Sequence, residues 1–329
     1  MEKKEEKEEK KDEVALKRLS EIYRHSYNSE FLHYFQEKSS NLFYYSLKAS
    51  HGRVITIREF TSPDLFDSVQ IVNRIFLCGG YKMLNFKPKF LTDHYECVLE
   101  EGKRFGNMIE KAGMNMARSQ HALCAIKDNW IYCMGGKNSE KGKVECLSEV
   151  EKYDIKENKW VIIPSMTEKK MNVSACAFNQ EMVYIFGGYN YGLGGALATI
   201  EFLDTNKESD GWKVYEITKQ MMKVWKPHYW MGLYHYATDK IIIFGGNSTD
   251  DSFIFNVKKG ILTRCERQIS YKVNFCQRKA ELWKDEVKCV DYQRRDVCEY
   301  SIEKDFWGDR DHEYSFYPRK PIKLPEQPH

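Results

Sequence analysis

The sequence predicts an all-β protein: a β-propeller of six four-stranded blades with a short N-terminal helix. Two observations predict it. Four short apolar runs each end in a glycine doublet, and a strand-turn-Trp pattern follows two of the doublets. The doublets are Gly79 and Gly80, Gly135 and Gly136, Gly187 and Gly188, and Gly245 and Gly246. Their first glycines stand 56, 52 and 58 residues apart, which is the spacing expected of four-stranded blades.

Each apolar run predicts a buried inner strand. Residues 183–186, for example, make a run that is long enough for a core strand and too short for a helix. Two glycines then allow a sharp turn at a place where a Cβ atom would clash. Each doublet is therefore expected to end a strand.

A second signature follows two of the doublets. Residues 149–154 and 200–204 alternate between apolar and polar side chains, as a strand does. An aspartate then begins a turn, and a tryptophan opens the next strand, where its ring can wedge between blades. The shared residues are Tyr153, Asp154 and Trp160 in one repeat, and Asp204 and Trp212 in the next. Since one blade cannot bury both of its faces, the blades must fold together.

These residues resemble the kelch repeat, whose pattern is an apolar strand with a glycine doublet, a Tyr-Asp strand end and a Trp. After Gly246 the resemblance weakens, and Leu262 stands near the expected Trp position. Two degraded units complete the count of six. One comprises residues 287–302 with Trp307, and the other comprises three predicted strands within residues 31–57. The resemblance covers most of residues 30–310, and its specific motifs lie between about residues 75 and 260.

The chain divides into four predicted segments. Residues 1–13 have no apolar residue after Met1 and are expected to be a charged, disordered segment. Residues 14–28 place apolar side chains on one helical face and predict a short helix. Residues 29–310 form the propeller, and residues 311–329 form a proline-rich C-terminal arm.

Composition excludes several classes of protein. A net charge of +3 is too small and diffuse for a nucleic-acid-binding footprint. The charged N-terminus argues against a signal peptide, and no apolar run is long enough to span a membrane. The ten cysteines show no CxxC spacing, so we expect buried thiols, no metal site and a cytoplasmic location. No cofactor is predicted.

No catalytic motif stands out. The glycine-rich residues 187–195 are not followed by Lys-Ser or Lys-Thr, so a flexible loop is expected there rather than a phosphate loop. Asp154 and Asp204 occupy the turn position of the repeat and are expected to be structural. The chain also lacks GxSxG and HExxH motifs.

The candidate binding surface is one loop face of the ring. Arg118, Lys170 and His228 each stand 17 residues before the first glycine of a doublet. Such side chains can bond strand ends at the rim, or they can place several donors around one opening. Further candidates in the same class of loop are Lys137, Lys169, Tyr189, Tyr191, Trp230 and Asn247. A peptide or protein site and an ordinary solvated rim both remain open here.

Three functions follow from these expectations. The first is a non-enzymatic protein-interaction scaffold or adaptor, whose loop face binds a protein or peptide, acidic or phosphorylated, and neither nucleic acid nor membrane. The resemblance also implies a substrate receptor of a cullin ubiquitin ligase, which would need a separate adaptor because too few residues for a BTB domain precede the first predicted strand. The third is a propeller enzyme, such as a sugar oxidase or mutarotase.

Overall fold

The computed structural model of the protein describes residues 31–72, 74–98, 105–140, 143–225, 229, 231–237, 239–246, 251–265, 280–283, 286–291, 296–302, 304 and 306–307. These residues form six antiparallel meanders, called blades 1 to 6 in chain order. The all-β, propeller-like architecture predicted from the sequence is confirmed. The predicted segments 1–13, 14–28 and 311–329 lie outside the described residues.

Blades 1 and 2 open the chain. Blade 1 has three strands, β1 (Phe31–Phe35), β2 (Asn41–Ser46) and β3 (His51–Ile57). Blade 2 consists of β4 (Asp67–Ile71), β5 (Arg74–Cys78), β8 (His94–Val98) and β9 (Phe105–Glu110), with a separate hairpin of β6 (Tyr81–Leu84) and β7 (Lys87–Phe90). The three strands that the sequence predicts within residues 31–57 are confirmed.

Blades 3 and 4 repeat the four-strand plan, each with its own extra hairpin. Blade 3 consists of β10 (Ala122–Ile126), β11 (Trp130–Met134), β14 (Val150–Asp154) and β15 (Lys159–Ile163), with hairpin β12 (Lys137–Glu140) and β13 (Lys143–Cys146). Blade 4 consists of β16 (Ser174–Phe178), β17 (Met182–Phe186), β20 (Ile200–Asp204) and β21 (Lys213–Val214), with hairpin β18 (Tyr189–Asn190) and β19 (Gly195–Ala196).

Blades 5 and 6 complete the described chain. Helix α1 (Lys219–Val224) precedes blade 5, which consists of β22 (Gly232–Ala237), β23 (Lys240–Phe244), β24 (Ser252–Asn256) and β25 (Ile261–Arg264). Blade 6 consists of β26 (Ala280–Trp283), β27 (Glu286–Asp291), β28 (Asp296–Ser301) and β29 (Phe306–Trp307). The degraded repeat predicted at residues 287–302 therefore forms a blade.

Each doublet ends a strand, as predicted, but that strand is the second of its blade and not the innermost. The innermost strands are β1, β4, β10, β16, β22 and β26, and residues from all six line one central cavity of about 150 Å³. In β10 and β16 these residues include Ala125, Cys124, Ala175 and Cys176. Small side chains fit there because the innermost strands face one another across this narrow space. Sequence reasoning did not place β10 and β16 at the inside of their blades, because their small residues give a weak apolar signal.

The core consists of apolar clusters between neighbouring blades. Between blades 2 and 3, Phe76 lies in one cluster with Trp160. Between blades 6 and 1, Val297 lies in one cluster with Leu32 and Tyr45. Every described blade therefore buries its faces against its neighbours, and none could do so alone. The blade count of the complete ring stays a prediction.

Blades 1 and 2 are joined by main-chain pairing as well as by side chains. Residues Thr56 and Ile57 of β3 pair in parallel with Phe105 and Gly106 of β9. The two blades thereby form one seven-stranded sheet. The N-terminal strands are thus fixed to the rest of the fold by backbone hydrogen bonds.

The repeat alignment made from the sequence agrees with the observed register. Trp160 stands opposite Tyr153 in blade 3, and Trp307 stands opposite Tyr300 in blade 6. Leu262 occupies the same place in blade 5, opposite Phe255. The Trp160 ring is buried, and its Nε1–H donates to the main-chain oxygen of Ala112, at 2.9 Å. This tryptophan therefore wedges between blades 2 and 3, as the sequence predicts.

We expect Trp160→Ala to lower the free energy of unfolding by about 3–5 kcal/mol, the range for truncating a core aromatic side chain. Ile162→Ala is the matched control, because Ile162 lies on the same strand and is 67% exposed. Chemical denaturation of both variants measures the difference. A Trp160→Ala protein as stable as the Ile162→Ala protein would contradict the wedge.

A buried histidine makes the stability of blade 2 depend on pH. His94 is fully buried beside Tyr153 and Trp160, with ring centroids 4.4 and 5.3 Å away. Its Nδ1–H donates to the main-chain oxygen of Ala112, at 3.2 Å. Burial lowers the pKa of His94 from 6.5 to about 4, although this hydrogen bond raises it. The folded protein therefore keeps His94 neutral at pH values where the unfolded chain binds a proton.

Between pH 7.5 and pH 5, we expect His94 to remove about 2 kcal/mol of folding stability, because only the unfolded state gains the proton there. His94→Gln should flatten the pH dependence of the free energy of unfolding across that interval. His51→Gln, at an exposed position of β3, is the control and should retain the wild-type slope. Equal slopes for wild type and His94→Gln, measured by urea denaturation, would refute this assignment.

Candidate functional site

Three hairpins define one face of the molecule, called the loop face. They are β6–β7, β12–β13 and β18–β19, and each follows a glycine doublet. The first residue of each hairpin pairs with the segment that leads into the innermost strand of its blade. These pairs are Asp64 with Tyr81, Ser119 with Lys137, and Met171 with Tyr189. The three hairpins are therefore held in equivalent positions on blades 2, 3 and 4.

The glycine doublets are required because two segments pass close to them: the loop of the next blade at the first glycine, and the entry segment of the same blade at the second. Gly135 and Gly136 have positive φ values of 60° and 99°. A Cβ atom on Gly135 would lie 2.6 Å from the Lys170 carbonyl oxygen, and one on Gly136 would lie 2.6 Å from the Ser119 carbonyl oxygen. Both the backbone conformation and this close approach exclude a side chain. The doublets thus fix the start of each hairpin.

Arg118 is fully buried beneath the loop face. Its Nη1 donates to the carbonyl oxygens of Gly135 and Glu149, at 2.9 and 2.7 Å, and its Nη2 forms an ion pair with Glu151 Oε1 at 2.8 Å. Glu151 is also buried and accepts a hydrogen bond from the main-chain N–H of Met116. The guanidinium therefore bonds strand ends inside blade 3.

Lys170 has the same role in blade 4. Its Nζ lies 2.5 Å from Glu201 Oε1 and 2.9 Å from Thr199 Oγ1, and the side chains of Lys170 and Glu201 are both 0% exposed. Glu201 accepts in addition from the main-chain N–H of Thr167. Arg118 and Lys170 therefore do not lie on the exposed binding surface that the sequence predicts. Their recurrence is explained by the structural alternative, since each neutralises a buried carboxylate.

We expect Arg118→Ala to lower the free energy of unfolding by about 3–5 kcal/mol, because it leaves the Glu151 carboxylate buried without its cation. Lys169→Ala, at an exposed neighbour of Lys170, should change it by less than about 0.5 kcal/mol. Thermal and urea denaturation compare the two variants. If Arg118→Ala were as stable as Lys169→Ala, the buried pair would have no structural role.

The structure does bring four other predicted residues to the loop face. Tyr189 is half-buried and Tyr191 is 58% exposed, and their ring centroids lie 5.2 Å apart. The exposed Lys169 adjoins them, because Asn190 Nδ2 donates to its carbonyl oxygen at 2.5 Å. Lys137 begins the neighbouring hairpin and is half-buried, and burial lowers the pKa of its ammonium group.

A cysteine connects these two hairpins. Cys146 pairs with Lys137 across β12–β13, and its Sγ lies 3.7 Å from the Tyr189 carbonyl oxygen, to which the thiol donates. Tyr229, which the sequence did not single out, extends the aromatic group with its ring centroid 5.4 Å from that of Tyr189. Lys169, Tyr189, Tyr191 and Tyr229 are called the tyrosine cluster below. The predicted residues His228, Trp230 and Asn247 lie outside the described residues.

Sequence reasoning also missed the first hairpin. Its strands β6 and β7 and the two residues between them present exposed lysines and exposed apolar side chains, namely Lys82, Met83, Leu84, Phe86, Lys87 and Lys89. A groove of about 470 Å³ separates this hairpin from β12–β13. The available signal was the presence of three lysines and no acidic residue in residues 82–89, shortly after the first doublet.

Two general properties of the described chain bear on function. Its helical segments include none with the length and hydrophobicity that a membrane-spanning helix needs. Within the same residues, no three His, Cys, Asp or Glu side chains are grouped as metal ligands. Predicted strand cysteines such as Cys133 are buried, and burial raises the pKa of that thiol to about 12.

Comparison with known proteins agrees with the repeat architecture. The family model of the kelch motif matches residues 117–167, which contain all four strands of blade 3. Kelch-like protein 26 of Danio rerio is 24% identical over 141 residues, which are 43% of this chain and 22% of that protein. Kelch-like protein 7 of Rattus norvegicus is 33% identical over 103 residues, which are 31% of this chain and 16% of that protein.

A viral protein matches a longer part of the chain. The kelch repeat and BTB domain-containing protein 2 of Cowpox virus (strain Brighton Red) is 25% identical over 172 residues, 51% of this chain and 28% of the viral protein. The chain thus spans less than a third of the length of each of these three curated relatives. With the propeller-like fold and the matched motif, the chain resembles kelch-repeat proteins over the matched region.

Proposed function

We propose that this protein is a non-enzymatic interaction module that binds another protein or a peptide through the loop face. The observation that carries this proposal is the tyrosine cluster, in which two tyrosines of the third hairpin, Tyr229 and the exposed Lys169 lie together beside the buried Lys170–Glu201 pair. Tyrosine is enriched among interface residues that contribute most to binding, because it buries a large rigid surface and keeps a hydroxyl for hydrogen bonding.

The rigidity of the support favours this function. The ion pair between Glu201 and Lys170 fixes the segment that contains Lys170 and Met171. Met171 in turn pairs with Tyr189, the first residue of the third hairpin. A surface that is ordered before binding loses little conformational freedom on association. Lys169 at the edge of the cluster favours an acidic or phosphorylated segment as the partner, since a lysine gains most from carboxylate or phosphate oxygens. A cytoplasmic location is part of the same proposal.

A second candidate function is substrate recognition for a cullin ubiquitin ligase. The cowpox virus relative is named for kelch repeats and a BTB domain. In that role the chain would recruit its substrate through the loop face. Ubiquitin-ligase subunits among the captured proteins would support this candidate.

The test replaces Tyr191 by Ala and Lys169 by Glu in one variant. Both positions are exposed, so the melting temperature should stay within about a degree or two of wild type. Affinity capture followed by quantitative mass spectrometry should show that specific partners are lost, and partner binding should weaken as salt screens exposed charges.

A matched control changes Ile162 to Ala and Lys159 to Glu on β15, at two exposed positions of an outermost strand. This variant should keep every partner. If the variant at Tyr191 and Lys169 also kept every partner with unchanged enrichment, the tyrosine cluster would not be the binding site.

A further inference from the structure

The tip of the first hairpin contains an aromatic residue in a conformation that favours glycine. Residues 85–86 connect β6 and β7, and Asn85 and Phe86 have positive φ values of 49° and 60°. Two-residue hairpin turns of this kind favour Asn-Gly, because the second position disfavours a side chain. The Phe86 side chain is 99% exposed and gains no burial in return. Folding alone therefore does not explain this residue.

The strands of the same hairpin place like charges next to each other. Lys82 stands directly opposite Lys89, and Leu84 stands opposite Lys87, so that these four side chains share one face of the ribbon. Lysines directly opposite each other destabilise a strand pair. Residues 81–90 contain no Asp or Glu that could offset the repulsion. The hairpin thus carries concentrated positive charge together with the exposed Leu84 and Met83.

This charged face borders the groove between the first two hairpins. The groove is lined by Leu84, Lys87, Pro88, Lys89, Phe90, Ala117, Asn138 and Ser139. No acidic side chain is among these residues. On the far strand of the second hairpin, Lys143 pairs with Glu145 at 3.4 Å, and neither side chain lines the groove. The groove therefore offers ammonium groups beside an apolar wall.

We propose that this groove binds an acidic segment of a partner protein that carries a bulky apolar residue. The apolar residue packs on Phe86 and Leu84, and the flanking carboxylates meet Lys87 and Lys89. Charge complementarity selects the acidic segment, and the exposed ring selects the apolar anchor. This proposal rests on the proposed function of the loop face but uses a surface separate from the tyrosine cluster.

A peptide fits these observations better than a nucleic acid does. Phosphates could meet the lysines, but a phosphate group offers no apolar partner for the exposed side chains of Met83, Leu84 and Phe86. The net charge of the whole chain is only +3, and nucleic-acid-binding domains usually present a larger basic surface. A single-stranded oligonucleotide is included in the test for this reason.

The experiment measures fluorescence anisotropy of labelled synthetic peptides with the full chain. One peptide consists of glutamates around a central Leu-Phe pair, and the other has Ser-Ser in place of that pair. We expect the first peptide to bind at least about tenfold more tightly than the second, and its Kd to rise as the salt concentration increases. If the wild-type protein bound both peptides equally, or neither, the proposal would be overturned.

Phe86→Gly separates binding from folding, because glycine suits the turn better than phenylalanine does. We expect its melting temperature to equal or exceed that of wild type, while its affinity for the Leu-Phe peptide falls about tenfold or more. A double variant, Lys87→Glu with Lys89→Glu, should lose binding to the glutamate peptides and keep its far-UV circular dichroism spectrum.

Leu193→Gly is the matched control, since Leu193 is a 60% exposed apolar residue in the third hairpin. It should bind the Leu-Phe peptide as wild type does, and so should the variant at Tyr191 and Lys169. If the tyrosine cluster proved not to bind a partner, the expected binding of the Leu-Phe peptide to the groove would therefore be unchanged. The proposal would be refuted if Phe86→Gly bound the Leu-Phe peptide as tightly as wild type does. It would also be refuted if a labelled oligothymidylate bound wild type more tightly than that peptide and the Phe86 and lysine variants lost this binding.

Discussion

The contact between a glycine doublet and the loop of the next blade is the constraint on which the loop face depends. The N–H of Gly80 donates to the Arg118 carbonyl oxygen at 2.8 Å, and the N–H of Gly136 donates to the Lys170 carbonyl oxygen at 2.9 Å. The side chains of Arg118 and Lys170 turn inward to the carboxylates of their own blades. One residue thus joins the preceding blade through its backbone and its own blade through its side chain.

This arrangement explains why charges are buried in a fold that could be held by apolar contacts alone. A buried ion pair adds little net stability compared with packed apolar residues, but it requires one particular arrangement of its partners. Blade 5 uses the apolar alternative: Phe253 stands opposite Ile243, where Glu201 stands opposite Ile185 in blade 4. The Phe253 ring packs against Trp225, with ring centroids 5.8 Å apart. The same position is therefore polar in blade 4 and aromatic in blade 5.

The sequence was informative wherever a feature repeats. The doublets and the Trp160 position recur, and both located their strands correctly. The order of strands within a blade was misassigned because the innermost strands contain small residues such as Ala125, which resemble surface segments. Arg118 was recognised as a recurrent position, but its partner Glu151 lies on a distant strand, and only the folded chain shows that the pair is buried. The first hairpin was missed because its Phe86 has no counterpart in the other repeats.

The seven-stranded sheet has a consequence for the protein in concentrated solution. Outermost strands expose unpaired backbone groups to which another molecule can add a strand, a common route to aggregation. Val54 on β3 and Ile109 on β9 are 44% and 50% exposed, so these two strands would be favourable templates for such growth. Their pairing at Thr56 and Ile57 gives each strand a neighbour on both sides over part of its length. Blades 1 and 2 therefore shield each other from the intermolecular strand pairing that leads to fibres.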